Sequence, residues 1–171
     1  MIEIIHAETH EQINHAKLLF MEYAFSLDFS LCFQDFDNEI DTLPGKYSPP
    51  DGFILLALSD NKCAGCIALK KLEDGVCEMK RLYVRPGYRN LGIGKLLVEK
   101  LINEAREIGY TKMRLDTIED KMKDAVKLYK SFGFYEIEAY YDNPQPGVLY
   151  MELNLTLPFQ TVWSFSARRG V

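Results

Sequence analysis

The sequence predicts an α+β fold whose sheet has mixed strand pairing around its middle. Three observations point there. Apolar-periodic segments run in the order strand, helix, loop, three strands, helix, strand, helix and two strands. The three consecutive strands are separated by short polar turns, the mark of antiparallel neighbours. The chain has 171 residues, enough for one domain with a real core and too few for two ordinary ones.

Each element has its own signal. Residues 2–5 read as a short strand. Thr9-His10-Glu11-Gln12 matches a capping box, with Thr9 as N-cap and Gln12 reaching back. Ile13, Ala16, Leu19 or Phe20, and Tyr23 then recur at helical spacing to about Leu27. Residues 28–52 set Asp28, Asp35, Asp37, Glu39, Asp41 and Asp51 against Lys46 alone, among Phe29, Phe33, Phe36, Tyr47 and three prolines. An irregular segment with one short helix is expected there. Residues 53–58 and 63–69 are apolar runs joined through Ser59-Asp60-Asn61-Lys62 as a hairpin. Val76–Val84 follows the turn Glu73-Asp74-Gly75 and stops at Pro86-Gly87. A strongly periodic helix runs over about 92–108, with Ile93, Leu97, Leu101, Ala105 and Ile108 inward and Gly109 as its cap. Residues 112–116 form a strand. A second helix covers about 121–132 and ends at Gly133. Strands at 134–140 and 148–155 close the pattern across the loop Asn143-Pro144-Gln145-Pro146-Gly147. Residues 1–155 are thus expected to form a single domain. The tail, 156–171, carries Trp163, Arg168 and Arg169 and has no functional reading.

Composition excludes several classes. With 20 basic and 25 acidic residues the net charge is −5, so nothing offsets phosphate repulsion and no nucleic-acid partner is expected. Apolar residues make up 47% and charged residues 26%, a globular mix that excludes disorder as the main state. No apolar run approaches the roughly 20 residues of a spanning helix, and Met1-Ile2-Glu3-Ile4-Ile5 has no basic leader, so a cytoplasmic location without a membrane partner is expected. Cys32, Cys63, Cys66 and Cys77 suggest no exported disulfide scaffold. Cys63-Ala64-Gly65-Cys66 spells C-x-x-C. A strand offset of three points the two side chains to opposite faces, so they read as small apolar residues and no metal is expected.

The chemistry concentrates in residues 79–95. This stretch holds Lys80, Arg81, Arg85, Arg89 and Lys95 and no acid, and it runs through a strand, a loop and a helix start. Gly92 and Gly94 remove side chains where N–H groups at a helix N-terminus point outward, a ready anion site. Arg89 and Lys95 could add charge-assisted bonds. A P-loop would need Gly-Lys-Ser/Thr, but Leu96 follows Lys95. A dinucleotide fingerprint would need a third glycine where Leu97 stands. Asp116 would suit as its ribose acid, yet seven residues separate the strand from Gly92. What fits is a pyrophosphate loop of the form R-x-x-G-x-G: Arg89, Asn90, Leu91, Gly92, Ile93 and Gly94. The bland alternative is a solvated basic loop with capping glycines.

On that motif, and on residues 125–134 (Ala-Val-Lys-Leu-Tyr-Lys-Ser-Phe-Gly-Phe), the chain resembles the GNAT superfamily of acyl-CoA-dependent N-acetyltransferases. The resemblance covers about 76–134 strongly and the rest to 155 more loosely. It implies a mostly antiparallel central sheet flanked by helices and acetyl-CoA as co-substrate. It implies that Arg89 to Gly94 grip the pyrophosphate, with Lys95 beside them by the charge reading above, and that Leu82, Tyr83 and Val84 lend backbone groups to the pantetheine arm. By resemblance the Tyr129 hydroxyl reaches the CoA sulfur. Many members have an Asn seven residues before that tyrosine; here the place is Met122.

Acetyl transfer needs a neutral amine, and a lysine-like amine with a pKa of about 10.4 is about 4.6 kcal/mol short of neutrality at pH 7. Glu78 is the candidate base, alone or through a water. Its alternative is a carboxylate paired with Lys80, Arg81 or Arg114. Tyr129 is the second catalytic candidate. A phenol near 10 is a weaker acid than a thiol near 8.5, so full transfer to thiolate is uphill by about 2 kcal/mol. The alternative is a core tyrosine with its tip in water. Cys77, beside Glu78, would be the nucleophile of a ping-pong route, but adjacent strand residues face opposite ways. Residues 43–47, the loop 143–147 and Tyr140, Tyr141 and Tyr150 are candidates for a substrate rim.

The expected function is therefore acetyl transfer from acetyl-CoA to a primary amine by direct attack, with a small-molecule acceptor. A non-catalytic CoA-binding sensor and a protein lysine or N-terminal acetyltransferase remain alternatives. The last strands and the tail could supply a homodimer contact.

Overall fold

The structure, a computed structural model, describes residues 1–157. Of the tail read above without a function, residues 158–171 lie outside the described residues. Seven strands form one sheet in the order β1-β2-β3-β4-β5-β7-β6. They are β1 (Ile2–His6), β2 (Phe53–Ser59), β3 (Lys62–Glu73), β4 (Val76–Val84), β5 (Lys112–Ile118), β6 (Tyr135–Ile137) and β7 (Val148–Asn154). Four helices cover it: α1 (His10–Ser26), α2 (Phe36–Asp41), α3 (Ile93–Ile108) and α4 (Lys123–Ser131). All pairings are antiparallel except β4 with β5. This is the α+β, mostly antiparallel arrangement that the sequence implies. No helix among the described residues is long and apolar enough to cross a membrane.

Each face of the sheet buries one core. Strand residues such as Leu55, Ile67, Cys77, Met79 and Met113 pack under α3 and α4. Ile54, Leu56, Cys66 and Ala68 pack under α1 and α2. α1 starts at the capping box read from the sequence. Thr9 Oγ1 accepts from Gln12 N at 3.2 Å and Gln12 Oε1 accepts from Thr9 N at 2.9 Å, which satisfies two otherwise orphaned donors. The β2–β3 hairpin turns at Asp60 and Asn61, both with positive φ, as a tight two-residue turn demands.

Two irregularities set the site. β5 pairs with β4 only over Val76, Cys77 and Glu78, after which the strands part. The cause lies in β4. Arg81 has φ 61° and inserts one extra residue opposite β3, between the pairs Ala68–Lys80 and Cys66–Tyr83. A bulge bends its strand, so beyond Glu78 the β4 edge facing β5 has no strand partner.

Four expectations are corrected. Ile108, expected inward, is 41% exposed, because it is the last residue of α3, beside the Gly109 cap. Cys63 and Cys66 share a face, because a bulge at Ala64 adds a residue between the pairs Ala57–Gly65 and Leu58–Cys63. The strand expected over 134–140 shrinks to Tyr135–Ile137. The chain then leaves the sheet, and the Tyr140 and Tyr141 rings turn onto Tyr150 at 5.3 and 5.6 Å between centroids. Residues 43–47 form no rim, because Tyr47 is 1% exposed and belongs to the α1/α2 core. The 28–52 segment does hold one short helix, α2, with 3₁₀ turns at Cys32–Gln34 and Gly45–Tyr47.

Candidate active site

Where β4 and β5 part, a cleft of ≈ 1130 Å³ passes through the sheet. Its walls are β4 from Met79 to Val84, β5 from Leu115 to Ile118, the N-termini of α3 and α4, and the segment joining α1 to α2.

At one end lies the expected anion cradle. Gly92 caps α3 with φ 77° and no side-chain hydrogen bond, so the first-turn amides keep their donors. That φ favours glycine, and Asn90 before it also sits in the left-handed region at 63°. Arg89 Nε donates to the Val84 carbonyl at 3.1 Å, which anchors its side chain across the loop. Arg89, Asn90, Gly92, Ile93, Gly94 and Lys95 all line the cleft, as do Leu82, Tyr83 and Val84. Leu91 does not; it is 55% exposed. The Ile93 side chain is buried in the core beneath α3, which leaves its backbone for the cleft. Met122 also lines the cleft, and its sulfur accepts from the Thr117 hydroxyl at 3.3 Å.

Tyr129 reaches the cleft from α4 and packs its ring on Phe134 at 5.8 Å. Its hydroxyl has no hydrogen-bond partner among the described residues. Burial, with Tyr23 and the Asp116 carboxylate nearby, pushes its pKa well above the ordinary phenol value. Glu78 does not line the cleft. It is 3% exposed on the α1/α2 side, where its Oε1 lies 3.4 Å from Lys80 Nζ and 3.8 Å from Lys70 Nζ. Glu78 therefore meets the cleft through Lys80, and Arg81 and Arg114 bind other acids, Glu39 and Glu152.

A polar network on that face went unread in the sequence. Lys80 Nζ also lies 3.2 Å from Gln34 Oε1 and 3.6 Å from Asp116 Oδ1. Asp116 Oδ2 accepts from the Tyr141 hydroxyl at 2.6 Å and from Asn143 Nδ2 at 2.9 Å. Gln34 Nε2 donates to Tyr141 at 2.9 Å. The alternation of Arg114 and Asp116 with core Met113 and Leu115 could have placed Asp116 on this face. No local signal marks Gln34. Of the expected rim, Tyr141 and Asn143 act here by holding Asp116, and only Asn143 lines the cleft.

Cys77 sits in the opposite core, and its Sγ donates to the Lys112 carbonyl at 3.5 Å. Burial pushes its thiol far above the range of a reactive cysteine. Cys77→Ala is expected to keep full turnover, measured as thiol release. Loss of turnover with an intact fold would restore a cysteine route.

Comparison with known proteins bears on this geometry. Residues 14–134 match the model of the acetyltransferase (GNAT) family. An uncharacterized N-acetyltransferase of Schizosaccharomyces pombe is 43% identical over 148 residues, 85% of this chain and 90% of that protein. A GNAT-family acetyltransferase structure from Staphylococcus aureus superposes with TM-score 0.73 at 25% identity, covering 91% of this chain and 99% of the other. The PaiA N-acetyltransferase of Thermoplasma acidophilum, solved with coenzyme A, shares the fold with TM-score 0.68 at 21% identity over 90% of this chain and 99% of its own.

Proposed function

The chain belongs to the GNAT acetyltransferase family, and from that premise we propose that its 1–155 domain moves an acetyl group from acetyl-CoA to a small primary amine, by direct attack, in the cytoplasm. One observation carries the reading. The split between β4 and β5 opens onto an uncapped, basic helix N-terminus, so a single cleft offers amide donors to a diphosphate and a free strand edge to an amide-bearing arm. The amides of Gly92 to Lys95, with the Arg89 and Lys95 side chains, hold the pyrophosphate. The β4 edge at Leu82, Tyr83 and Val84 pairs with the pantetheine amides. Acetyl-CoA supplies an activated carbonyl with a thiolate leaving group. In the transfer a C–N bond forms, the C–S bond breaks, the amine loses one proton and the departing sulfur gains one.

The side chains divide that work. Tyr129 keeps its own proton and donates a hydrogen bond toward the departing sulfur. Glu78 balances the charge of Lys80 and reaches the acceptor only through it or a water. The free cysteines suit a reducing compartment.

The test is direct. Calorimetry should show acetyl-CoA binding that weakens with salt, and an amine panel should release free thiol. Binding without turnover of any amine would favour a CoA sensor. No affinity for CoA esters at low salt would overturn the reading.

A further inference from the structure

The cleft is electrostatically lopsided. At the cradle, Arg89, Lys95 and Lys123 have no carboxylate partner among the described residues. At the far end every cation is engaged. Lys80 Nζ donates to Gln34 Oε1 at 3.2 Å and is paired electrostatically with the Glu78 and Asp116 carboxylates at 3.4 and 3.6 Å. Arg81 is held by Glu39 and Gln34, and Lys121 by Asp28. A carboxylate set against Lys80 or Arg81 would have to break a buried pair and strand a charge, whereas the Lys121–Asp28 pair is exposed and resists less.

Asp116 differs from its neighbours. It lines the cleft, its Oδ2 is fixed by Tyr141 and Asn143, and its Oδ1 meets only Lys80, at 3.6 Å, longer than a good hydrogen bond. That oxygen keeps capacity for a donor. The cleft lining contributed by α1 and the segment after it is mostly apolar and aromatic, with Tyr23, Leu27, Phe29, Leu31 and Phe33 interspersed with Ser26, Asp28 and Gln34. Two ties cross this side of the cleft. The Gln34–Tyr141 hydrogen bond ties the segment after α1 to the β6–β7 loop. The Asp28–Lys121 ion pair, with Lys121 also 5.2 Å from the Phe29 ring centroid, ties the same segment to the β5–α4 loop. These ties narrow the approach for a backbone carrying a lysine more than for a small amine.

We propose that this half of the cleft accepts a small primary amine with an apolar or aromatic body and no carboxylate beside its amino group, the ammonium set against Asp116. The assignment rests on the acetyl transfer proposed above.

The experiment compares 2-phenylethylamine, phenylalanine, spermidine and a lysine peptide with acetyl-CoA, read as thiol release and product mass. 2-Phenylethylamine is expected to exceed phenylalanine in kcat/KM by about 10-fold or more, because the carboxylate meets only engaged cations. Asp116→Asn should lower kcat/KM for 2-phenylethylamine by about 10-fold or more, mainly through KM, with acetyl-CoA affinity unchanged. Phenylalanine, spermidine or the peptide turning over as well as 2-phenylethylamine would overturn the assignment. So would acetyl-CoA binding with no turnover of any of the four, or an unchanged KM in the folded Asp116→Asn protein. Absence of acetyl-CoA binding would instead overturn the reading beneath it.

Discussion

Glu39→Ala is expected to destabilise the protein by about 3–5 kcal/mol, the cost of leaving a buried partner charge uncompensated. Glu39 and Arg81 side chains are 1% and 2% exposed. Arg81 Nε and Nη2 donate to the two Glu39 oxygens at 2.8 and 3.1 Å, and Tyr47 and Lys46 bind the same carboxylate at 3.0 and 2.7 Å. The pair also holds the bulge that parts β4 from β5, since Arg81 occupies the positive-φ position. The damage should therefore reach acetyl-CoA binding as well as the urea midpoint. An acid signature separates this pair from general packing loss. Burial alone would raise the Glu39 pKa, but hydrogen bonds and charge from Arg81 and then Lys46 override it and hold the group at about 2, below its ordinary 4.5. A carboxyl depressed in the folded state stabilises above its unfolded pKa and loses that contribution as pH falls. Between pH of about 4.5 and about 2, roughly 3 kcal/mol should disappear from the wild type and be missing from the Glu39→Gln profile. Identical acid dependence in both proteins would show that the pair does not carry it.

What the sequence made legible was local. The capping box, the α3 stripe and the Arg89–Lys95 cradle each lie within a turn or two of chain, where spacing alone fixes which groups meet. The acceptor-side network was illegible because its members are far apart. Gln34 meets Lys80 across 46 residues and Tyr141 across 107, and Glu39 meets Arg81 across 42. Read in order, Glu39 is one acid among six in a stretch that looks like a solvated face; only the fold shows it buried. The bulges at Ala64 and Arg81 had no glycine or proline at the inserted residue, and strict alternation assigned Cys63 the wrong face. A single inserted residue inverts every side chain beyond it, so one unread bulge can hide a site.

Tyr129→Phe should lower kcat by about 10²-fold, or about 2.7 kcal/mol, the scale of losing one well-aimed donor to a developing anion. The ring's packing against Phe134 survives the change, so stability and acetyl-CoA affinity should hold. The pH profile distinguishes a donor from an acid. Burial first, then the neighbouring Tyr23 and Asp116, raise the Tyr129 pKa, so the hydroxyl stays protonated well past pH 10. Transfer of its proton to a thiolate of pKa about 8.5 is then further uphill than for an exposed phenol. The wild-type kcat profile should show no limb from Tyr129 up to about pH 10, and the variant should keep the wild-type shape at lower height. A basic limb near pH 8–9 that vanishes in Tyr129→Phe would mean that this tyrosine gives up its proton, against the environment the core imposes on it.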